Sequence, residues 1–145
     1  MKNTIVSTKS YNESLVALLL RLVLGGLMAY HGYLKLEMYD TMMKIFGDPI
    51  GIGQSLSVHL VIFAEFFCGI LLVIGLFTRL AVIPIFITML VAFTVAHAKD
   101  PFQVKMIPFI YLLLCFPVFI AGSGRYSADA ILFRKRNPAD QLSFP

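Results

Sequence analysis

The sequence predicts an all-α membrane protein built from four antiparallel transmembrane helices. Hydrophobic residues fill 59% of its 145 positions and charged residues only 14%. The apolar residues gather into four runs, each near the roughly 20 residues that a membrane-spanning helix needs. A soluble domain is nearer about 45–50% apolar and about 25% charged. A chain this short folded in water also buries only about two-thirds of its surface. With a mean hydropathy of +0.84, the chain is not a soluble enzyme, a disordered segment or a disulfide scaffold. Its net charge of +4 is carried by residues set between apolar runs. A membrane surface accounts for them, and nucleic acid is not an expected partner. Cys68 and Cys115 lie inside apolar runs without CxxC spacing and fix no redox compartment.

The first span covers residues 14–36. It lacks a small-residue cleavage site near Tyr30–Lys35, so it reads as a retained span and not as a signal peptide. The others cover 56–77, 80–98 and 106–122. The organisation expected is a cytoplasmic segment 1–13, a transmembrane domain 14–125 and a cytoplasmic basic tail 126–145. Lys2, Lys9, Arg79, Arg125, Arg134, Lys135 and Arg136 fall on one side of the spans and Lys44, Lys99 and Lys105 on the other. Basic residues favour the cytoplasmic side, which puts both termini inside, in a multi-pass protein of the plasma (inner) membrane. Short connections at 78–79 and 99–105 make neighbouring spans run in opposite directions. Pro84, Pro108 and Pro117 are expected at helix starts or kinks.

Between the first two spans, residues 37–46 place Met38, Tyr39, Met42, Met43, Ile45 and Phe46 on one face. Glu37, Asp40, Thr41 and Lys44 fall on the other. This is the pattern of a short amphipathic helix lying in the membrane interface. Its apolar residues Met38, Met42, Met43 and Phe46 are candidates for a lid over the outer end of the bundle, returned to the second span by the Gly-rich stretch 47–53. In the tail, Ser127 is positioned to cap a short helix through Phe133. The basic Arg134-Lys135-Arg136 follows and would sit against an anionic inner leaflet.

Ionisable groups inside a span cost roughly 2.5–3.5 kcal/mol each at its centre, so each one present is a functional candidate. They are Arg21, His31 and Lys35 in the first span, His59 and Glu65 in the second, and His97 in the third. At about 1.5 Å per residue, Arg21 stands roughly 10 Å above the inner end of its span and Glu65 about 18 Å above the inner end of its own. That separation is within reach of an Arg side chain, so the two are expected to form a buried ion pair. All three histidines stand about 25–27 Å up, at one level on three helices, with Lys35 one turn above His31. No pair has the i, i+4 spacing of a metal site, so no metal is assigned. Gly25, Gly26, Gly32, Gly69 and Gly75 are read as helix-contact residues, and Cys68 and Cys115 as packing thiols.

Arg21…Gly25…His31-Gly32…Lys35-Leu36, then Glu65…Gly69…Gly75-Leu76-Phe77-Thr78-Arg79, with His97 closing the third span, resemble the DoxX family across residues 14–125. The resemblance implies a small four-helix membrane protein without a soluble catalytic domain, with relatives that include a membrane subunit of a thiosulfate–quinone oxidoreductase. It points to Arg21, His31, Lys35, Glu65, Arg79 and His97 as the family's polar positions. The chain lacks the close cysteine pair that a dithiol mechanism needs.

Three functions of different classes follow. The first is a redox-associated subunit binding a quinone, with His31 or His97 on a quinone carbonyl, Glu65 carrying the coupled proton and Arg21 tuning it. No flavin, haem or iron–sulfur signature is present in the sequence, so electrons would come from a partner protein or soluble donor. The second is a small proton-coupled transporter, which would need a homo-oligomer to enlarge so narrow a bundle. The third is a non-catalytic membrane scaffold for a partner protein. The redox reading is preferred. No residue is assigned as catalytic, and a quinone is the candidate ligand.

Overall fold

The structure, a computed structural model, describes residues 12–133. Among these residues every regular element is helical: α1 (Glu13–Glu37), α2 (Tyr39–Ile45), α3 (Gln54–Ile74), α4 (Thr78–Ala96), α5 (Phe102–Ala121) and α6 (Ala128–Phe133). Helices α1, α3, α4 and α5, of 25, 21, 19 and 20 residues, are long and apolar enough to cross a membrane. Both π-helical turns, Phe63–Phe67 within α3 and Ala92–Ala96 at the end of α4, carry one extra residue per turn.

The helix ends have local causes. The Asn12 side chain accepts a hydrogen bond from the Ser14 amide at 3.2 Å, satisfying an otherwise open donor of the first turn of α1. At the end of α3, Gly75 adopts φ 78°, and the amides of Gly75 and Leu76 donate to Leu71 O at 2.8 and 2.9 Å. This closing turn needs a left-handed residue, and a Cβ at Gly75 would also run into the Arg21 guanidinium. Gly75 is therefore a turn residue that also packs closely against the Arg21 side chain of α1. Phe77, left-handed at φ 49°, donates its amide to Asp129 Oδ1 at 2.9 Å. Pro84, Pro108 and Pro117 all lie in helix interiors and mark no helix start.

Helices α1 and α3 touch through small residues. A Cβ at Gly25 would stand 2.7 Å from Gly69 O, and one at Gly32 would stand 2.7 Å from Phe66 Cα. The backbones approach here in the way that small residues allow membrane helices to do. Gly26 meets nothing within 4 Å, so it is no contact residue. The core is filled by Leu24, Leu72, Ile85 and Val118, all at zero exposure, together with Cys68 and Cys115 at 2%. Both thiols are free and pack in one apolar cluster.

The bundle has two different ends. At the terminal end, residues 122–133 fold back on the helices. Ser127 Oγ accepts from the Ala130 amide at 3.1 Å and so caps α6. Asp129 binds the amides that open α4, and Arg79 donates to Phe119 O at 3.1 Å and Ile120 O at 3.4 Å, covering the last carbonyls of α5. Residues 126–130 are thus tied to the packed body. The basic stretch 134–136 and the segment 1–11 lie outside the described residues.

At the loop end, α2 follows α1 after Met38 and buries none of its residues. Gly-rich residues 47–53 are held by one side chain. Asp48 accepts from the amides of Gly53 and Ile52 at 2.8 and 3.0 Å and from Ser57 Oγ at 3.1 Å. These bonds, with Gly53 first, hold the Asp48 carboxyl below the usual carboxylate range. One carboxylate thus ties the Gly-rich stretch to the first turn of α3.

Candidate functional site

The polar side chains of the spans divide between the two ends. Arg21 lies at the terminal end with zero exposure. Its Nη1 donates to Leu72 O at 3.1 Å and its Nη2 to Tyr126 O at 2.5 Å, while its Nε has no partner. It does not meet Glu65, so the expected Arg21–Glu65 pair is corrected. The cause is register. Gly32 packs on Phe66, which sets Glu65 level with the Gly32–Tyr33 turn. Arg21 is about twelve residues away along α1, or about 18 Å. Taking residues 14 and 77 as one level misjudged the offset, because the folded-back tail covers the first turns of α1: a Cβ at Gly124 would stand 3.1 Å from Ala17 Cβ.

Glu65 pairs instead with Lys35, whose Nζ donates to Glu65 Oε2. The glutamate side chain is 5% exposed and the lysine 25%. Lys35 is in the last turn of α1 and its long stem carries the charge back toward the bundle. Glu65 sits inside the π turn Phe63–Phe67, where the extra residue turns the side chain relative to a regular helix. One turn before Lys35, His31 Nε2 lies 3.1 Å from the Tyr111 hydroxyl, with the rings edge to face at 5.7 Å. Tyr111 comes from α5, so three helices supply this network.

His97 ends α4 directly after the second π turn, its amide bonded to Ala92 O at 3.0 Å. Its Nδ1 donates to Asp100 Oδ2 at 2.7 Å. A cavity of about 140 Å³ joins these groups. His31, Lys35, Glu65, His97 and Tyr111 supply its polar lining, and residues such as Met28, Met89 and Pro108 its apolar lining. Beside it, a groove of about 510 Å³ runs under α2, lined by Met42, Phe46, Pro49, Val95 and His97 among others. His97 belongs to both spaces.

The structure therefore brings together His31, Lys35, Glu65 and His97 and leaves Arg21 out. Of the lid candidates, Met42 and Phe46 line the groove. Met38 is 49% exposed and, like the half-buried Met43, lies outside that lining. His59 faces away from the cavity: its Nδ1 donates to Ser55 O at 2.7 Å and its Nε2 pairs with the Tyr39 hydroxyl at 2.9 Å, tying α2 to α3. Among the described residues no three His, Cys, Asp or Glu side chains gather closely enough to hold a metal.

Sequence reasoning missed Tyr111 and Asp100. Tyr111 carried a signal, since a buried phenol needs a hydrogen-bond partner. Asp100 carried one too, three residues after His97 at the close of an apolar run. A family model described as DoxX matches residues 16–98. No curated protein and no solved structure matches the chain.

Proposed function

Since the chain belongs to the DoxX family, we propose that it is a plasma-membrane protein whose polar cavity binds the ring of a quinone-like lipid as part of a redox system. The observation that carries this reading is the convergence of the Lys35–Glu65 pair and the His31–Tyr111 contact on one cavity of about 140 Å³. A few polar groups aimed into an apolar pocket are what fixes a flat, partly polar ligand. The cavity is smaller than the roughly 300–1,000 Å³ usual for ligand pockets, so it holds a single ring. The neighbouring groove, about 510 Å³, has room for an apolar tail.

In this reading the four spans alternate in direction. Contacts between α1 and α3 support it, with Arg21 against Leu72, Gly25 against Gly69, Gly32 against Phe66 and Lys35 against Glu65. The basic residues outside the spans support termini in the cytoplasm. The cavity then opens at the outer end, with α2 at the membrane interface and Met42 and Phe46 roofing the groove. Glu65 and Lys35 would hold and release the proton that accompanies electron transfer. The electrons would come from a partner protein or soluble donor.

The test is titration of a decyl-tailed benzoquinone into the full chain in lipid nanodiscs. Saturable binding is expected. It should vanish in the double variant Lys35→Met with Glu65→Gln, which removes both charges together and so leaves the fold intact. Absence of saturable binding by the wild-type protein overturns the reading.

A further inference from the structure

The seam between the start of α4 and the end of α5 is polar at one end and apolar along the rest. At the terminal end of the bundle a cavity of about 440 Å³ is lined by Thr78, Arg79, Asp129 and the turn 122–124, among others. Arg79 Nε and Nη2 donate to Phe119 O and Ile120 O at 3.1 and 3.4 Å, which leaves Nη1 without a partner among the described residues. Gly122, at φ 67°, passes so close that a Cβ would stand 3.4 Å from Arg79 Nε. The guanidinium is thus held in place with one nitrogen to spare. Asp129 shares the lining, but both its oxygens already accept main-chain amides, from Phe77 at 2.9 Å and from Thr78 at 3.5 Å. Residues 77–80 and 121–129 carry Arg79 and Arg125 against that one carboxylate, and Arg125 is exposed.

On the next turns of both helices the same seam holds an apolar crevice of about 200 Å³, between Ile83 and Phe86 of α4 and Phe116, Phe119 and Ile120 of α5. Residues 79, 83 and 86 share one stripe of a helix, so the crevice continues the line of Arg79. Ile83, Phe116, Phe119 and Ile120 are exposed, so the crevice is open on its outer side. Arg79 stands in the first turn of an apolar span, where a span meets the headgroup region. A matching occupant has an anion at that level and a hydrocarbon chain running into the bilayer. We propose that this seam binds one anionic phospholipid of the leaflet at the terminal end, with its phosphate on Arg79 and one acyl chain in the crevice. Basic pockets between spans take anionic headgroups in this way. Ser123, on the cavity lining, offers its hydroxyl to a second phosphate oxygen. Inorganic phosphate would meet the same arginine but leave the crevice unfilled. The site lies at the opposite end of the bundle from Glu65 and does not depend on what the cavity there binds.

The experiment titrates lipid into the delipidated full chain in detergent and reads bound lipid by native mass spectrometry. The probes are dioleoyl-phosphatidylglycerol, dioleoyl-phosphatidylcholine and the phosphate-free dioleoylglycerol. A single phosphatidylglycerol should bind about tenfold more tightly than dioleoylglycerol, as one charge-assisted hydrogen bond implies. It should also bind about tenfold more tightly than phosphatidylcholine, whose choline cation faces the same arginines. A large excess of inorganic phosphate should not displace it. Arg79→Gln should weaken phosphatidylglycerol binding about tenfold by the same arithmetic. Because Arg79 also covers the last carbonyls of α5, Ser123→Asp is the second variant. It sets a negative charge in the headgroup cavity, leaves those bonds in place, and should weaken binding by a similar factor with the thermal transition unchanged. Phosphatidylglycerol binding no tighter than that of either other lipid, or undiminished in folded Ser123→Asp, overturns the inference. Displacement by inorganic phosphate overturns the assignment to a lipid.

Discussion

Removing one partner of the Lys35–Glu65 pair leaves the other without its counter-charge in an apolar bundle, and the two losses differ in size. In Lys35→Met the carboxylate, 5% exposed, has no ion-pair partner. Breaking a buried pair in this way costs about 3–5 kcal/mol. In Glu65→Gln the lysine, 25% exposed, can extend toward water, so the cost falls nearer that of one lost hydrogen bond to a charged group, about 1.5–3 kcal/mol. The double change replaces both charges and should recover much of the loss, giving a coupling energy of about 1–3 kcal/mol. Arg21→Met supplies the contrast. It too is destabilising, because Leu72 O and Tyr126 O lose their donor. At about 18 Å from Glu65 along the helix, its effect should add to that of Glu65→Gln within about 0.5 kcal/mol. Reversible unfolding in detergent, applied to these single and double variants, measures both couplings. A larger coupling of Glu65 to Arg21 than to Lys35 would refute the register deduced from Gly32 and Phe66.

Gly32→Ala places a methyl group against the Phe66 backbone, so it should lower stability by about 1–3 kcal/mol, whereas Gly26→Ala, with open space around it, should be neutral or stabilising by up to about 1 kcal/mol; thermal unfolding of the two side by side decides. The Asp48 carboxyl, held below its ordinary value chiefly by the Gly53 amide, binds a proton less readily folded than unfolded. Its contribution is therefore full above the ordinary carboxylate range and is lost as pH falls through the lowered value. Amide exchange at Ile52 and Gly53 should rise in that acid window, and Asp48→Ala should show the raised exchange at every pH. Cysteine reporters at exposed Asp48 and Asp100 should label from outside intact cells, and one at exposed Arg125 only after permeabilisation; the opposite pattern refutes the proposed orientation.

The four spans were legible because the length of an apolar run is itself the physical requirement for crossing a bilayer. The Ser127 cap of the short α6 was legible for a comparable reason, since the capping residue and the amide it binds are local in sequence. Legibility failed where two helices had to be set against each other. Depth counted from the ends of apolar runs paired Arg21 with Glu65, yet the ends of α1 and α3 do not lie at one level. The offset is fixed by the Gly25–Gly69 and Gly32–Phe66 contacts and by a tail that covers the first turns of α1. Neither π turn has a composition signature, although Glu65 and His97 owe their placement to them. Asp48 looked like one more loop charge, because its three partners lie four, five and nine residues away and become neighbours only once the loop closes.

The ionisable groups of the spans carry two different duties that share one chemical cost. Arg21 is entirely buried, and every hydrogen bond it makes goes to a main-chain carbonyl. Those carbonyls belong to the end of α3 and to the folded-back tail, so the guanidinium fastens the closing turn and the tail together. Nothing about that arrangement leaves a donor turned toward a ligand. Lys35, Glu65, His31 and His97 bond side chain to side chain, and all four border a space that no protein atom fills. A helix-locking device gains from filling such a space, because unpaired polar surface in an apolar bundle is costly. Four polar side chains kept around a cavity, with π turns in two of the helices that line it, are costly as scaffolding and fitting for a site that receives a polar ring. The polar groups of the spans are thus bonded to main chain at the end where Arg21 lies and to one another around a cavity at the other.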